Sequence, residues 1–215
     1  MKYWNKGDKT EEFVYNNSEV KRKLDESSTR MLFKKLLRWD VINDNISMIE
    51  FAAGVGRITK NVFQKLKFIK SIDLLEPAIA FKTKLEEIKK SNNKIENIFM
   101  MTGEKFVFKK KYDIIFGQYF LENISDFELL SFLIKARDNL TPNGKIIFRE
   151  NVVQHMYIIR DTTQMHQRVR SIDIFNFFFK IAGLTVVNES IPENKIPIDT
   201  DYTFYEIVLK KENFA

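Results

Sequence analysis

A chain of 215 residues with 44% hydrophobic content can bury a sizeable core, and it is somewhat longer than an average domain. The absence of cysteine excludes a disulfide framework and thiolate metal sites, and suits a reducing compartment. Net charge is +6, but Lys82, Lys84, Lys89 and Lys90 lie on or after one helical pattern and Lys109 to Lys111 form only a short run. A solvated face accounts for them better than a nucleic-acid partner does.

Met1 to Lys9 lacks the apolar core of a signal peptide, and no apolar run reaches the ~18 residues of a membrane span. The expectation is a soluble cytoplasmic or nuclear protein, a monomer without a membrane partner, forming one domain over 1–215. Residues 1–40 read as an N-terminal extension and helix packing over the site. Tyr3 and Trp4 sit there in a polar segment and need burial, on the core or in a lid. Asp25 to Ser28 offers caps for a helix from about Ser28 to Trp39, with Leu32, Phe33, Leu36 and Leu37 as its apolar face.

Met48, Ile49 and Phe51 then form a short apolar run that ends in Ala52, Ala53, Gly54 and Gly56, the pattern of a buried strand meeting a tight turn. Ile58, Val62 and Leu66 follow at helical spacing. Strand, glycine loop and helix in succession make a ligand loop in which backbone N–H groups face the ligand. A dinucleotide fingerprint would place a third glycine where Thr59 stands, which argues against NAD. The pattern is instead Glu50, Ala52, Gly54, Gly56. A second acid, Glu76, closes the strand-like run Ile72 to Leu75 at the place where a ribose diol would be gripped.

Beyond it, Pro77 opens a helix with Ala78, Phe81, Leu85 and Ile88 on one stripe. Ile95 to Met101 reads as the third strand and runs into Thr102, Gly103 and Glu104. Tyr112 to Phe116 is the fourth, followed by Gly117, Gln118 and Tyr119 in the crevice where open α/β sheets bind ligands. A helix carrying Phe127, Leu130, Leu133, Ile134 and Ala136 ends before the turn Leu140 to Gly144, and strand five is Lys145 to Glu150 with Asn151 at its end. A helix over Ser171 to Ala182 and two strands near Leu184–Glu189 and Thr203–Leu209 complete the chain. This alternation predicts a doubly wound, Rossmann-like α/β fold with a seven-stranded sheet. His155 and His166 have no metal-ligand spacing, so no metal is expected.

Glu50 to Gly56 with Glu76 resembles motif I and the following acidic loop of class I S-adenosylmethionine (SAM) methyltransferases. The segments A-A-G-V-G-R-I-T-K (52–60), D-L-L-E-P (73–77), L-T-P-N-G-K-I-I-F-R-E-N (140–151), I-A-G-L (181–184) and Y-T-F-Y (202–205), with Tyr3-Trp4, resemble the protein alpha-N-terminal methyltransferases. That family acts on proteins beginning X-Pro-Lys or X-Pro-Arg.

The resemblance implies SAM as cofactor, with S-adenosylhomocysteine as product. Ala52, Gly54, Gly56 and Arg57 would hold the methionine part, Arg57 through its carboxylate, and Glu76 with Pro77 the ribose. Thr102, Gly103 and Glu104 would flank the adenine, and Gln118 would line the methionine end. On the peptide side it implies Trp4, Tyr119 as an aromatic wall for proline, Asn151 on the first residue's backbone, and Tyr202. Asp161, before Thr162 and Thr163, is the catalytic candidate with Asn151 beside it. Where many members have a histidine this chain has Asn123, which can hydrogen-bond but cannot act as a base near pH 7.

Only a neutral amine can attack the sulfonium methyl, and an α-amine with a pKa near 7.7–8.0 is partly neutral at physiological pH. Acids at Asp161, Glu193, Asp199 and Asp201 are expected to make a negative groove on the basic protein. The alternatives are a methyltransferase for a small amine or another acceptor, and a weakly active SAM-binding interaction or RNA-binding protein.

Overall fold

Apolar runs that end in small or acidic residues supply the parallel strands, and the segments between them supply the helices. In the computed structural model, which describes residues 19–154, 157–162, 165–190 and 203–212, the chain forms two units, 1–103 and 104–215.

In the first unit, β1 (Ile46–Phe51), β2 (Ile69–Leu75) and β3 (Ile95–Phe99) pair in parallel in the order β3-β2-β1. β1 and β2 are buried along nearly their whole length, as parallel strands covered on both faces must be. Helix α1 (Glu19–Arg38) precedes them, α2 (Arg57–Asn61) follows the glycine loop, and α3 (Lys82–Lys90) follows a 3-10 turn at Ile79–Phe81. The stripe Ala78, Phe81, Leu85 and Ile88 is buried as expected.

Two expectations fail here. Helix α1 covers Glu19–Arg38 rather than starting at Ser28, so Asp25 is not a cap but lies inside the helix. Its buried carboxylate accepts from Arg57, which keeps it in the helical interior where an unpaired acid would be costly. The helix after the loop is only Arg57–Asn61, and a 3-10 turn (Phe63–Lys65) carries the chain on. Val62 and Phe63 are buried at this break, and Phe63 packs its ring 5.0 Å from that of Phe33.

In the second unit, β4 (Tyr112–Gln118) is parallel to β5 (Leu140–Val153). β5 is antiparallel to β9 (Thr203–Lys211), which pairs with β8 (Leu184–Ser190). Helix α4 (Asp126–Asp138) opens on a capping box: Ser125 Oγ accepts from Glu128 N, and Ser125 N donates to Glu128 Oε2 at 2.6 Å. The buried stripe is Leu129, Phe132, Leu133 and Ala136, with Phe132 packed against Phe120 and Phe148. Phe127, expected on the core face, is 83% exposed, and Leu130 and Ile134 are only half-buried. Helix α5 (Ile172–Ile181) starts at Ser171, whose hydroxyl accepts from Ile174 N.

The expected turn at Leu140–Gly144 is instead the start of β5. Register moves from Tyr112↔Leu140 directly to Ile114↔Lys145, so Thr141, Pro142, Asn143 and Gly144 are accommodated opposite Asp113 in a bulge, a place where a strand tolerates proline. A Cβ on Gly144 would lie 2.9 Å from the Tyr112 carbonyl oxygen, which explains the glycine.

The seven expected strands are all present as β1 to β5, β8 and β9. Two more were not foreseen: β6 (Tyr157–Thr162) and β7 (Met165–Ser171) form an antiparallel hairpin, and β7 pairs in parallel with Val152 and Val153 at the end of β5.

Candidate functional site

In the first unit the loop after β1 is built by three left-handed residues, Ala52 (φ 55°), Gly54 (φ 58°) and Gly56 (φ 76°). The two glycines serve different ends. A Cβ on Gly54 would meet nothing within 4 Å, so the loop stands open there, whereas a Cβ on Gly56 would lie 2.7 Å from Ile88 Cδ1 and 2.9 Å from Leu85 Cδ2 of α3. Gly56 is therefore required by helix packing as well as by backbone geometry.

Both carboxylates foreseen at this loop are buried. Glu76 accepts from Gly54 N (2.8 Å) and from Ala78 N (2.8 Å), so it fastens the glycine loop to the segment after β2 at Pro77. Burial raises its pKa, and the two N–H bonds oppose that rise. Glu50 lies beneath the loop and accepts a hydrogen bond from the Thr59 hydroxyl. Thr59 thus stands where a dinucleotide loop has its third glycine because its side chain has a partner there. Burial pushes Glu50 up to about 8, against the bond from Thr59 and the charge of Arg57.

Arg57 is buried and committed to α1: Nη2 lies 2.5 Å from Asp25 Oδ2, and Nη1 reaches Glu26 Oε1 at 3.4 Å and the Arg22 carbonyl at 3.5 Å. At the end of the β3 segment the Thr102 hydroxyl is buried and has no hydrogen-bond partner among the described residues. Gly103 follows it half-buried and Glu104 is exposed. An open backbone at Gly54, a carboxylate held beside it and an orphaned hydroxyl at Thr102 fit a nucleoside cofactor in this half.

In the second unit the chemistry gathers at the end of β4. Gln118 Oε1 accepts from Arg149 Nη1 at 3.2 Å. Arg149 is fully buried, pairs with Glu206 (Nη2 to Oε1, 2.8 Å) and lies 4.8 Å over the Phe204 ring. Phe204 in turn packs 5.6 Å from Tyr119, a residue held at φ 53° with its N–H bonded to the Arg149 carbonyl. Asn123 is exposed and donates to the Tyr119 carbonyl at 2.7 Å. Asn151 donates to Glu122 Oε2 at 3.3 Å, and β5–β9 register sets it opposite Phe204.

Glu122, Glu150, Gln167 and Phe204 were not foreseen as site residues. For the two acids the sequence signal is their place next to an expected asparagine, Glu122 before Asn123 and Glu150 before Asn151, and Phe204 lies within the segment Y-T-F-Y. Asp161 lies in β6, in register with His166 of β7. Trp4, Tyr202, Glu193, Asp199 and Asp201 lie outside the described residues.

The parallel strands, the glycine loop and its acids define the class I SAM-dependent methyltransferase fold. A SAM-dependent methyltransferase from Leishmania major superimposes with a TM-score of 0.81 at 26% identity, over 97% of this chain and 80% of that one. The chain belongs to the AdoMet dependent proline di-methyltransferase family, whose model matches residues 1–200.

Among its relatives, alpha N-terminal protein methyltransferase 1 of Dictyostelium discoideum is 30% identical over 71% of this chain and 56% of its own length. N-terminal Xaa-Pro-Lys N-methyltransferase 1-A of Xenopus laevis is 27% identical over 80% of this chain and 76% of its own length. The chain therefore spans little more than half of the first relative and about three quarters of the second.

Proposed function

We propose that this chain transfers methyl from SAM to the free α-amino group of proteins that begin X-Pro-Lys or X-Pro-Arg. The observation that carries this reading is the aromatic wall of Tyr119 and Phe204, rings 5.6 Å apart, with Asn151 in register with Phe204. The two rings are tilted by 59° and make an apolar corner; such a corner suits a proline ring, and a carboxamide beside it suits a peptide backbone.

In the first unit, the loop at Ala52, Gly54 and Gly56 would hold the methionine part, Glu76 with Pro77 the ribose, and Thr102 would supply a hydroxyl to the base. SAM, when bound, supplies an electrophilic methyl on a sulfonium. The second unit orients the acceptor: Arg149 fixes Gln118 and backs Phe204, and Asn151, which donates to Glu122, can offer its Oδ1 to the first residue's N–H. Positioning is the main demand of such a displacement. Trp4, Tyr202 and Asp161 complete the peptide side in this reading, and a basic third residue is met by acids of that half.

Methyl transfer from labelled SAM to Ser-Pro-Lys, Ser-Ala-Lys and α-acetylated Ser-Pro-Lys peptides tests the proposal. Transfer to the first alone is expected. Equal transfer to the alanine peptide would point to a small-amine or unselective acceptor site. SAM binding without any transfer would point to an inactive relative.

A further inference from the structure

Helix α5 buries one face and leaves a second apolar face outside. Phe175 and Phe179 of the helix, with Ala182 just after it, are buried. Ile174, Phe177, Phe178 and Ile181 recur at three- and four-residue spacing and form a second stripe, where a solvated helix ordinarily carries polar residues. Phe177 is 61% exposed and Ile181 51%, while Ile174 and Phe178 are half-buried. The rings of Phe177 and Phe178 already meet edge to face, centroids 5.7 Å apart, so this platform is formed before any partner arrives.

The helices beneath it are braced. α4 lies alongside α5 and is tied to it at both ends. Arg170, two residues before α5, donates to Asp126 at the head of α4 (2.9 Å), and Arg137 near the end of α4 donates to the Ala182 carbonyl (2.7 Å). Phe127 turns outward from α4 as Phe177 does from α5, each opposite its own helix's buried stripe. Outward aromatics on two braced, neighbouring helices make a contact face rather than a scatter of single exposed residues.

The order of residues along α5 points to what covers this face. The stripe reads the same from either end about a point between Phe177 and Phe178, with Ile174 and Ile181 equally far from it. Asp173 and Lys180 border the stripe, both exposed, and neither has an ion-pair partner among the described residues. Under a two-fold axis through that point a second α5 runs antiparallel. Ile174 then meets Ile181, Phe177 meets Phe178, and Asp173 comes near Lys180, each contact occurring twice. Opposed helix ends complement one another in the same arrangement. One acid and one base on the border suit neither an anionic membrane nor a nucleic acid, since both call for a basic fringe.

We propose that this face joins two copies of the chain, α5 against α5 about a two-fold axis, flanked by Phe127 of α4. The inference is independent of the methylation reading. A stripe of four side chains is small beside the about 800 Å² per partner of a standard interface, so the dimer exchanges with monomer.

Sedimentation equilibrium of the full chain from micromolar to near-millimolar concentration tests it, and a monomer–dimer equilibrium is expected. Phe177→Glu sets carboxylates at the centre of the apolar face and should raise the dissociation constant at least about tenfold. Its helix content and SAM binding should be unchanged, because the side chain is exposed in the monomer.

Asp173→Lys and Lys180→Asp should each weaken the dimer by about three- to tenfold by facing like charges, and the double swap should restore it. If the two charges served only the ends of their own helix, the double variant would be the worst of the three. A chain that stays monomeric throughout, the state expected from the sequence, overturns the inference and leaves the face to another segment or a different protein. A dimer that F177E leaves intact overturns it as well, and so does a double swap no tighter than the single variants.

Discussion

The glycine loop of the first unit and the turn after β4 in the second are both crowded with carboxylates, yet they are held in opposite ways. Glu50, Gly54, Thr59, Glu76 and Ala78 close on one another through short stretches of chain: one side-chain hydroxyl and two backbone N–H groups satisfy two buried acids. Around Glu122 the described partners come from β5 and β7, and the nearby pair of rings joins Tyr119, just after β4, to β9. A locally closed loop needs the right residues at the right spacing. A site assembled from four strands needs the right register as well, because a one-residue slip turns every side chain to the other face.

The largest effect that would sharpen this contrast is expected from Phe204→Ala. It truncates a buried ring that supports both Tyr119 and Arg149 and should destabilise the protein by roughly 3 kcal/mol. Denaturant unfolding measures the loss. SAM affinity should stay within about twofold while KM for the proline peptide rises, and a parallel loss of SAM binding would erase the distinction between the halves.

Gly56→Ala addresses the other half. A side chain at φ 76° that also meets Ile88 and Leu85 should cost about 1–3 kcal/mol and weaken SAM binding measured by calorimetry. Peptide affinity should be unaffected by comparison.

Glu50 gives a pH signature confined to the first unit. Its folded pKa of about 8 lies above the ordinary 4.5, so folding takes up a proton between these values. The contribution is whole below about pH 4.5, declines as pH rises, and is lost on passing about 8. Urea midpoints across that window should fall in the wild type and fall less in Glu50→Gln. An identical slope in both would show that Glu50 is ionised in the folded protein.

The smallest effect is expected from Asn123→Ala. The side chain is exposed and holds only its own turn, so stability should change by about 0.5 kcal/mol or less and kcat by a few-fold. A loss of kcat of about a hundredfold would place Asn123 in the acceptor-side chemistry.

The loop was legible because its signals are local. Gly54, Gly56 and Glu76 announce a strand, a tight turn and a second acid, and all three stand where that reading requires. The helix stripes were legible only in part: Phe127 and Leu130 are as apolar as Leu129 and Phe132, and it is Phe132 that packs against Phe120 and Phe148 in the fold. Leu140 to Gly144 reads as a turn because proline and glycine usually break a strand, and here a bulge absorbs them.

By itself, the sequence determined the alternation of strand and helix, the open glycine loop and the family, because each is written in residue types at fixed spacing. Tertiary structure alone decided that Asp25 pairs with Arg57, that Arg149 backs Phe204, and that Glu122 lies between Asn151 and Gln167 with Glu150 at its side. These contacts join residues about thirty to fifty-five positions apart, and strand register and burial, which no local pattern encodes, set their distances and the protonation of their acids.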